Sequence, residues 1–170
     1  MTTVEIRADD AIRELQRVGL AFNVGHLLDV VGDRMLSWAD QNFQAAGAEF
    51  PWAPLRPSTI ASRRKGSSAP LQDTGRLRQS VTKQVLGESV RIGYGVETAA
   101  WHHFGTSPYL IRPTRARALR FVTTEGVAFA QIVRHPGLPR RRLLPSEPLA
   151  SQLATAEVDA IVERATSGAG

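Results

Sequence analysis

Between residues 24 and 46 apolar side chains recur every three or four positions: Val24, Leu27, Leu28, Val31, Met35 and Trp38 share one stripe, with Asp29, Asp33, Arg34 and Asp40 off it. That period predicts the main core helix, with Trp38 packed inside and His26 a surface residue at the edge of the stripe. Ahead of it, Ile12, Leu15, Gly19 and Leu20 lie opposite Arg13 and Arg17, which predicts a shorter helix capped by Asp9 or Asp10 and ending near Asn23. Gly47 can take a left-handed conformation and ends the long helix. Further on the period falls to two. Val81, Lys83 and Val85 alternate with Ser80, Thr82 and Gln84, and after Gly87-Glu88 the residues Val90, Ile92 and Tyr94 alternate again, as a hairpin does. Residues 118–122 and 127–133 predict a second strand pair. Leu149, Leu153, Ala156, Ala160 and Ile161 then return to helical spacing behind Ser146 as cap, with Pro148 tolerated in the first turn and fraying from Thr166. The order implies one α+β domain over residues 1–170: an antiparallel sheet of about four strands, a long N-terminal and a C-terminal helix on one face, and extended loop and hairpin arms. Edges of such a sheet need cover, and oligomerisation is one way to supply it.

The connecting segments are unusual. In Phe50-Pro51-Trp52-Ala53-Pro54-Leu55 two prolines exclude helix and central strand, so order there requires burial of Trp52 and Leu55. Ser58 or Thr59 is placed to cap a short helix running to residue 65, and residues 66–70 are the most linker-like run and the expected mobile one. In Leu71-Gln72-Asp73-Thr74-Gly75-Arg76-Leu77, Asp73 or Thr74 caps a turn of helix or closes a tight turn at Gly75. Residues 99–104 predict one helical turn stopped by Gly105, and Thr106-Ser107-Pro108 starts an extended arm.

The absence of cysteine excludes disulfides, thiolate nucleophiles and sulfur-ligated zinc. No apolar run approaches the roughly 18 residues of a membrane span, and residues 1–10 lack the apolar core of a leader, so a soluble chain without membrane contact is expected. The formal charge is +5, concentrated in Arg112, Arg115, Arg117, Arg120, Arg134, Arg140, Arg141 and Arg142, while the C-terminal stretch is acidic through Glu147, Glu157, Asp159 and Glu163. Such polarity suits head-to-tail contact between copies. His102, His103 and His135 lack the spacing of a metal helix, no Gly-x-Ser-x-Gly is present, and Gly93-Tyr94-Gly95 is no phosphate loop. No enzyme, metal or cofactor is expected. The rival reading is non-specific DNA contact by a monomer or dimer, with Arg112, Arg115, Arg117 and Arg120 on phosphates beside Tyr109 and Phe121; no sequence-reading motif accompanies them.

Three motifs stand in a fixed order: Trp52-Ala53-Pro54-Leu55 with Thr59; Leu71 with Thr74-Gly75, Leu77 and Ser80; and His103-Phe104-Gly105-Thr106, followed by the basic, proline-bearing exit from His135-Pro136-Gly137 to Arg142. Together they resemble the virion morphogenesis or tail-completion proteins of Mu-like tailed bacteriophages. One departure is Arg142-Leu143-Leu144-Pro145, aliphatic where the family's exit ends in an aromatic after an Arg-Pro step. The resemblance implies a virion protein of the neck or tail, assembled in the host cytoplasm. It implies a ring, commonly sixfold, that meets the tail tube and the head-tail connector, with no catalytic residues. In that setting residues 109–117 and 134–144 are expected to reach across to a neighbouring copy. Tyr109, Arg112, Arg115, Arg117, Arg134, Arg140, Arg141 and Arg142 would make the contact, the arginines pairing with the neighbour's Glu157, Asp159 or Glu163.

Overall fold

The computed structural model describes residues 2–7, 23–63, 66–123 and 126–167; the helix expected ahead of Asn23 lies outside them. Helix α1 (Val24–Gln44) follows the apolar stripe, burying Leu27, Leu28, Val31, Met35 and Trp38 and continuing through Ala39, Asn42 and Phe43. The Asn23 side chain accepts from the backbone N–H of His26 and caps it. Past its end Ala46 and Gly47 are both left-handed, and a Cβ on Gly47 would stand 2.2 Å from the Phe50 carbonyl oxygen. Glycine is therefore required there for space as well as for conformation.

Strands β1 (Thr2–Arg7), β2 (Val81–Leu86) and β3 (Ser89–Tyr94) form an antiparallel sheet with β3 in the centre. The β2–β3 hairpin is the expected one, whereas β1 was not anticipated. Its Val4 and Ile6 lie opposite Ile92 and Val90, which brings the N-terminal strand into the core. Helix α1 crosses this sheet closely at Gly32, where a Cβ would meet Lys83 Cδ at 2.8 Å. The Lys83 stem thus occupies an apolar strand position, while its ammonium reaches Asp29 and Asp33 at 2.7 Å each.

A single four-stranded sheet does not form. The remaining strands make two separate ribbons, β4 (Tyr109–Ile111) with β7 (Val133–His135) and β5 (Leu119–Thr123) with β6 (Gly126–Ala130). The strand expected over residues 127–133 breaks because the chain bends at Gln131 and Val133–His135 turn to pair with Tyr109–Ile111.

Helix α2 (Pro57–Ser62) starts and ends earlier than expected, with Pro57 behind Arg56 and no side-chain cap from Ser58 or Thr59. Residues 66–70 are tied down rather than free: Arg63 Nη1 donates to the carbonyls of Ser67 and Ala69, and Pro70 is buried. Left-handed Gly75 leads into α3 (Arg76–Gln79), with Thr74 Oγ1 accepting from Arg76 N at 3.4 Å. Helix α4 (Thr98–Phe104) ends at Gly105 as the sequence predicts.

The last helix, α5 (Glu147–Ser167), packs on α1 and β1. Its buried face is turned from the expected one: Ala150 and Val158 are buried, Leu153, Ala154, Ile161 and Val162 pack against the core, and Ala156 is exposed. Anchoring explains the offset. Ser146 does not cap through its side chain, since both its N–H and its hydroxyl bond the Glu49 carboxylate, which fixes where the helix starts.

Candidate assembly surface

Two backbone segments clasp each other at the base of the second half. Thr106 N donates to the Leu138 carbonyl at 3.0 Å, and Leu138 N donates to Thr106 Oγ1 at 2.9 Å. The approach is so close that a Cβ on Gly137 would lie 2.1 Å from the Thr106 carbonyl oxygen, and one on Gly105 2.9 Å from that of Leu138. Both glycines also have positive φ. The Phe-Gly-Thr and Pro-Gly motifs are thus two halves of one crossing. Beside it His135 stacks on Tyr109 with ring centroids 4.7 Å apart, and its Nδ1 accepts from Gly137 N.

Residues 140–145 form a strap drawn into the body. The Arg142 carbonyl accepts from Asn42 Nδ2 and Trp52 Nε1, each at 3.0 Å, and the Leu143 carbonyl accepts from the Tyr94 hydroxyl at 3.2 Å. Arg141 N donates to the His102 carbonyl, and Leu143 N donates to His103 Nδ1 at 3.1 Å. The Arg141 side chain, only 5 % exposed, donates through Nε and Nη2 to the Ala53 carbonyl, while the Arg142 guanidinium lies over the Phe50 ring. Leu143 and Leu144 are buried. This corrects the expectation that residues 134–144 project as a whole. Arg141, Leu143 and Leu144 find burial in their own chain, and the aliphatic departure from the family pattern belongs to the core.

Burial first, then the charges of Arg140 and Arg142, push His103 down to about 4, and burial followed by Arg141 lowers His102. The neutral imidazole of His103 is the form that can accept from Leu143 N. Between the ordinary value of 6.5 and about 4 the unfolded chain binds the proton and the folded chain does not. Stability is therefore fully present above 6.5 and lost as pH falls through this window. Urea denaturation at pH 7 and pH 5 is expected to show the loss, with a shallower dependence in His103→Asn, whose amide oxygen can accept without titrating. An unchanged pH dependence would count against this role.

The two ribbons beyond the clasp are different. Tyr109, Leu110, Phe121, Val127, Phe129 and Ile132 are large, apolar and exposed, Phe129 to 67 %. Register puts Arg120 opposite Phe129, on the face carrying Val127, while Phe121 and Thr123 on the other face line a cleft. Arg112, Arg115, Arg117, Arg120, Arg134 and Arg140 are exposed and make no ion pair among the described residues. Asp159 and Glu163 are exposed on α5, whereas Glu157 is half-buried and 3.6 Å from Arg164 of the same helix. On α4, Trp101 and Phe104 add a further exposed aromatic pair.

The cleft measures about 1470 Å³ and collects motif residues from across the chain: Pro54, Leu55, Thr59, Leu71, Thr74, Leu77, Pro136 and Gly137. Trp52, Phe104, Gly105 and Thr106 do not line it; Trp52 and Thr106 instead fix the segments that do. The described residues hold no group of three or more side chains suited to a metal ion; His103 and His135 are engaged separately, and the buried Nδ1 of His102 has no hydrogen-bond partner among the described residues. Asn42 and Glu49, clamps on the strap and on α5, are not marked by the sequence, and Tyr94 reads there only as a strand residue. Asn42 could have been found, as a polar residue four positions after Trp38 on a buried stripe.

Neither a curated protein nor a solved structure matches the chain. A model of the phage virion morphogenesis family matches residues 5–163, from within β1 to the last turns of α5 and so across the clasp, the strap and the cleft. The chain belongs to the phage virion morphogenesis family.

Proposed function

We propose that the protein is a structural component of the phage neck. It completes the tail or joins it to the head connector as a ring of copies, touching the tail-tube and connector proteins, and it has no catalytic role. The observation that carries this reading is the β5–β6 ribbon. Two strands without a third are marginal in water, and this pair displays Val127 and Phe129 to solvent with Arg120 between the strands' ends. A partner surface that buries the ribbon accounts for both. Exposed Arg112, Arg115 and Arg117 on the adjoining segment add charge to the same contact.

Phe129→Glu tests it. Since Phe129 is exposed, unfolding of the isolated protein is expected to change by no more than about 0.5 kcal/mol. Complementation of a phage lacking the wild-type gene is expected to give separate heads and tails by electron microscopy. Normal particles carrying the variant would overturn the reading.

A second reading, non-specific DNA contact by a monomer or dimer, is favoured by the same exposed arginines beside Tyr109. Its mark is binding to duplex DNA that weakens steeply with salt. No binding at low ionic strength removes it.

A further inference from the structure

We propose that the cleft is the receptor for helix α5 of the next copy, so that successive copies join head to tail through one helix and one groove. This rests on the ring reading and names the contact that would build the ring. Charge is the first argument. Five arginines line the cleft, Arg56, Arg76 and Arg134 of them exposed, against the carboxylates Asp73 and Glu97. Helix α5 has the opposite balance, four carboxylates against Arg164.

Shape is the second. Gln152, Ala156, Asp159 and Glu163 form an exposed stripe at helical spacing on α5, with the small side chain of Ala156 in its middle. Three turns of helix are about 16 Å long, and the exposed half of α5 can enter while its other half stays on α1 and β1. The cleft, at about 1470 Å³, has room for that half.

Topology is the third. A chain cannot fill its own cleft with α5 without dismantling its core, because α5 packs on α1 and β1, and no residue of either lines the cleft. The two surfaces are different patches of one molecule, so the contact is heterologous, the kind that builds a ring when the rotation it imposes closes. The β5–β6 ribbon, which walls the cleft through Phe121 and Thr123, would then flank the exposed face of the incoming helix.

The test places a photo-crosslinking amino acid at position 156 of the full chain, in assembled tails, and maps the adducts by mass spectrometry. The expected adducts join residue 156 to residues 53–59, 71–77 or 133–139 of another copy. Asp159→Arg and Arg76→Glu, each alone, are expected to lower the yield of joined particles at least tenfold, and the two together to restore it. Adducts to any other face of a second copy, or to another virion protein only, overturn the α5–cleft contact. The ring reading survives either result if microscopy still shows a ring. Adducts to DNA, with no rescue by the paired reversal, mark the cleft as a phosphate-binding groove and also overturn the proposal. Particles without any ring of this protein remove the reading on which it rests.

Discussion

Gly137→Ala is expected to lower stability by about 3–5 kcal/mol, a shift of roughly 10 °C in Tm for a domain of this size. The left-handed conformation alone costs a residue with a Cβ about 1–2 kcal/mol. The added carbon would then lie 2.1 Å from the Thr106 carbonyl oxygen and 2.9 Å from the Ser107 carbonyl carbon. Backbone must move, and the hydrogen bonds between Thr106 and Leu138 go with it. Gly87→Ala is the internal control: its φ is +58, but nothing lies within 4 Å of the added carbon. It is expected to cost about 1–2 kcal/mol from the conformation alone. Equal thermal shifts for the two variants would show that the clasp is not a tight crossing.

Leu143→Ala is expected to cost about 3–4 kcal/mol in urea denaturation at constant m, the range for truncating a fully buried leucine that leaves a cavity. Leu143 is 0 % exposed. Arg142→Ala, one residue earlier, removes a guanidinium lying over Phe50 but leaves the carbonyl that Asn42 and Trp52 hold. Its expected cost is about 1 kcal/mol or less. The contrast separates two accounts of the strap: one held by main-chain carbonyls and apolar burial, the other by its charges. Comparable losses in the two variants would favour the second.

What was legible in the sequence follows from how local each signal is. The stripe from Val24 to Trp38 and the alternation through Val81, Val85, Val90 and Ile92 each lie within a single element or hairpin, and both read correctly. Strand β1 has the same alternation, but over only six residues, and its partner β3 lies more than eighty positions away. The β4–β7 ribbon is shorter still, three residues a side, and it diverts the end of what reads as one continuous strand. The strap was misread for a physical reason. Arginines and prolines around Leu143-Leu144 look like a surface loop, and its burial depends on donors from Asn42, Trp52 and Tyr94, distant in the chain. The three motifs were visible as an ordered set, but that residues from each of them meet at one cleft is a property of the folded chain.

Thr106 and Leu138 touch, so the whole excursion between them leaves the body and returns to it at a single point. Such an insertion behaves as an exchangeable cassette: lengthening it adds only a slowly growing closure entropy and shifts nothing beneath. A lineage could thus refit this protein to a different neighbour by grafting new residues between 112 and 132, beyond the β4–β7 pair, leaving the clasp and the scaffold untouched.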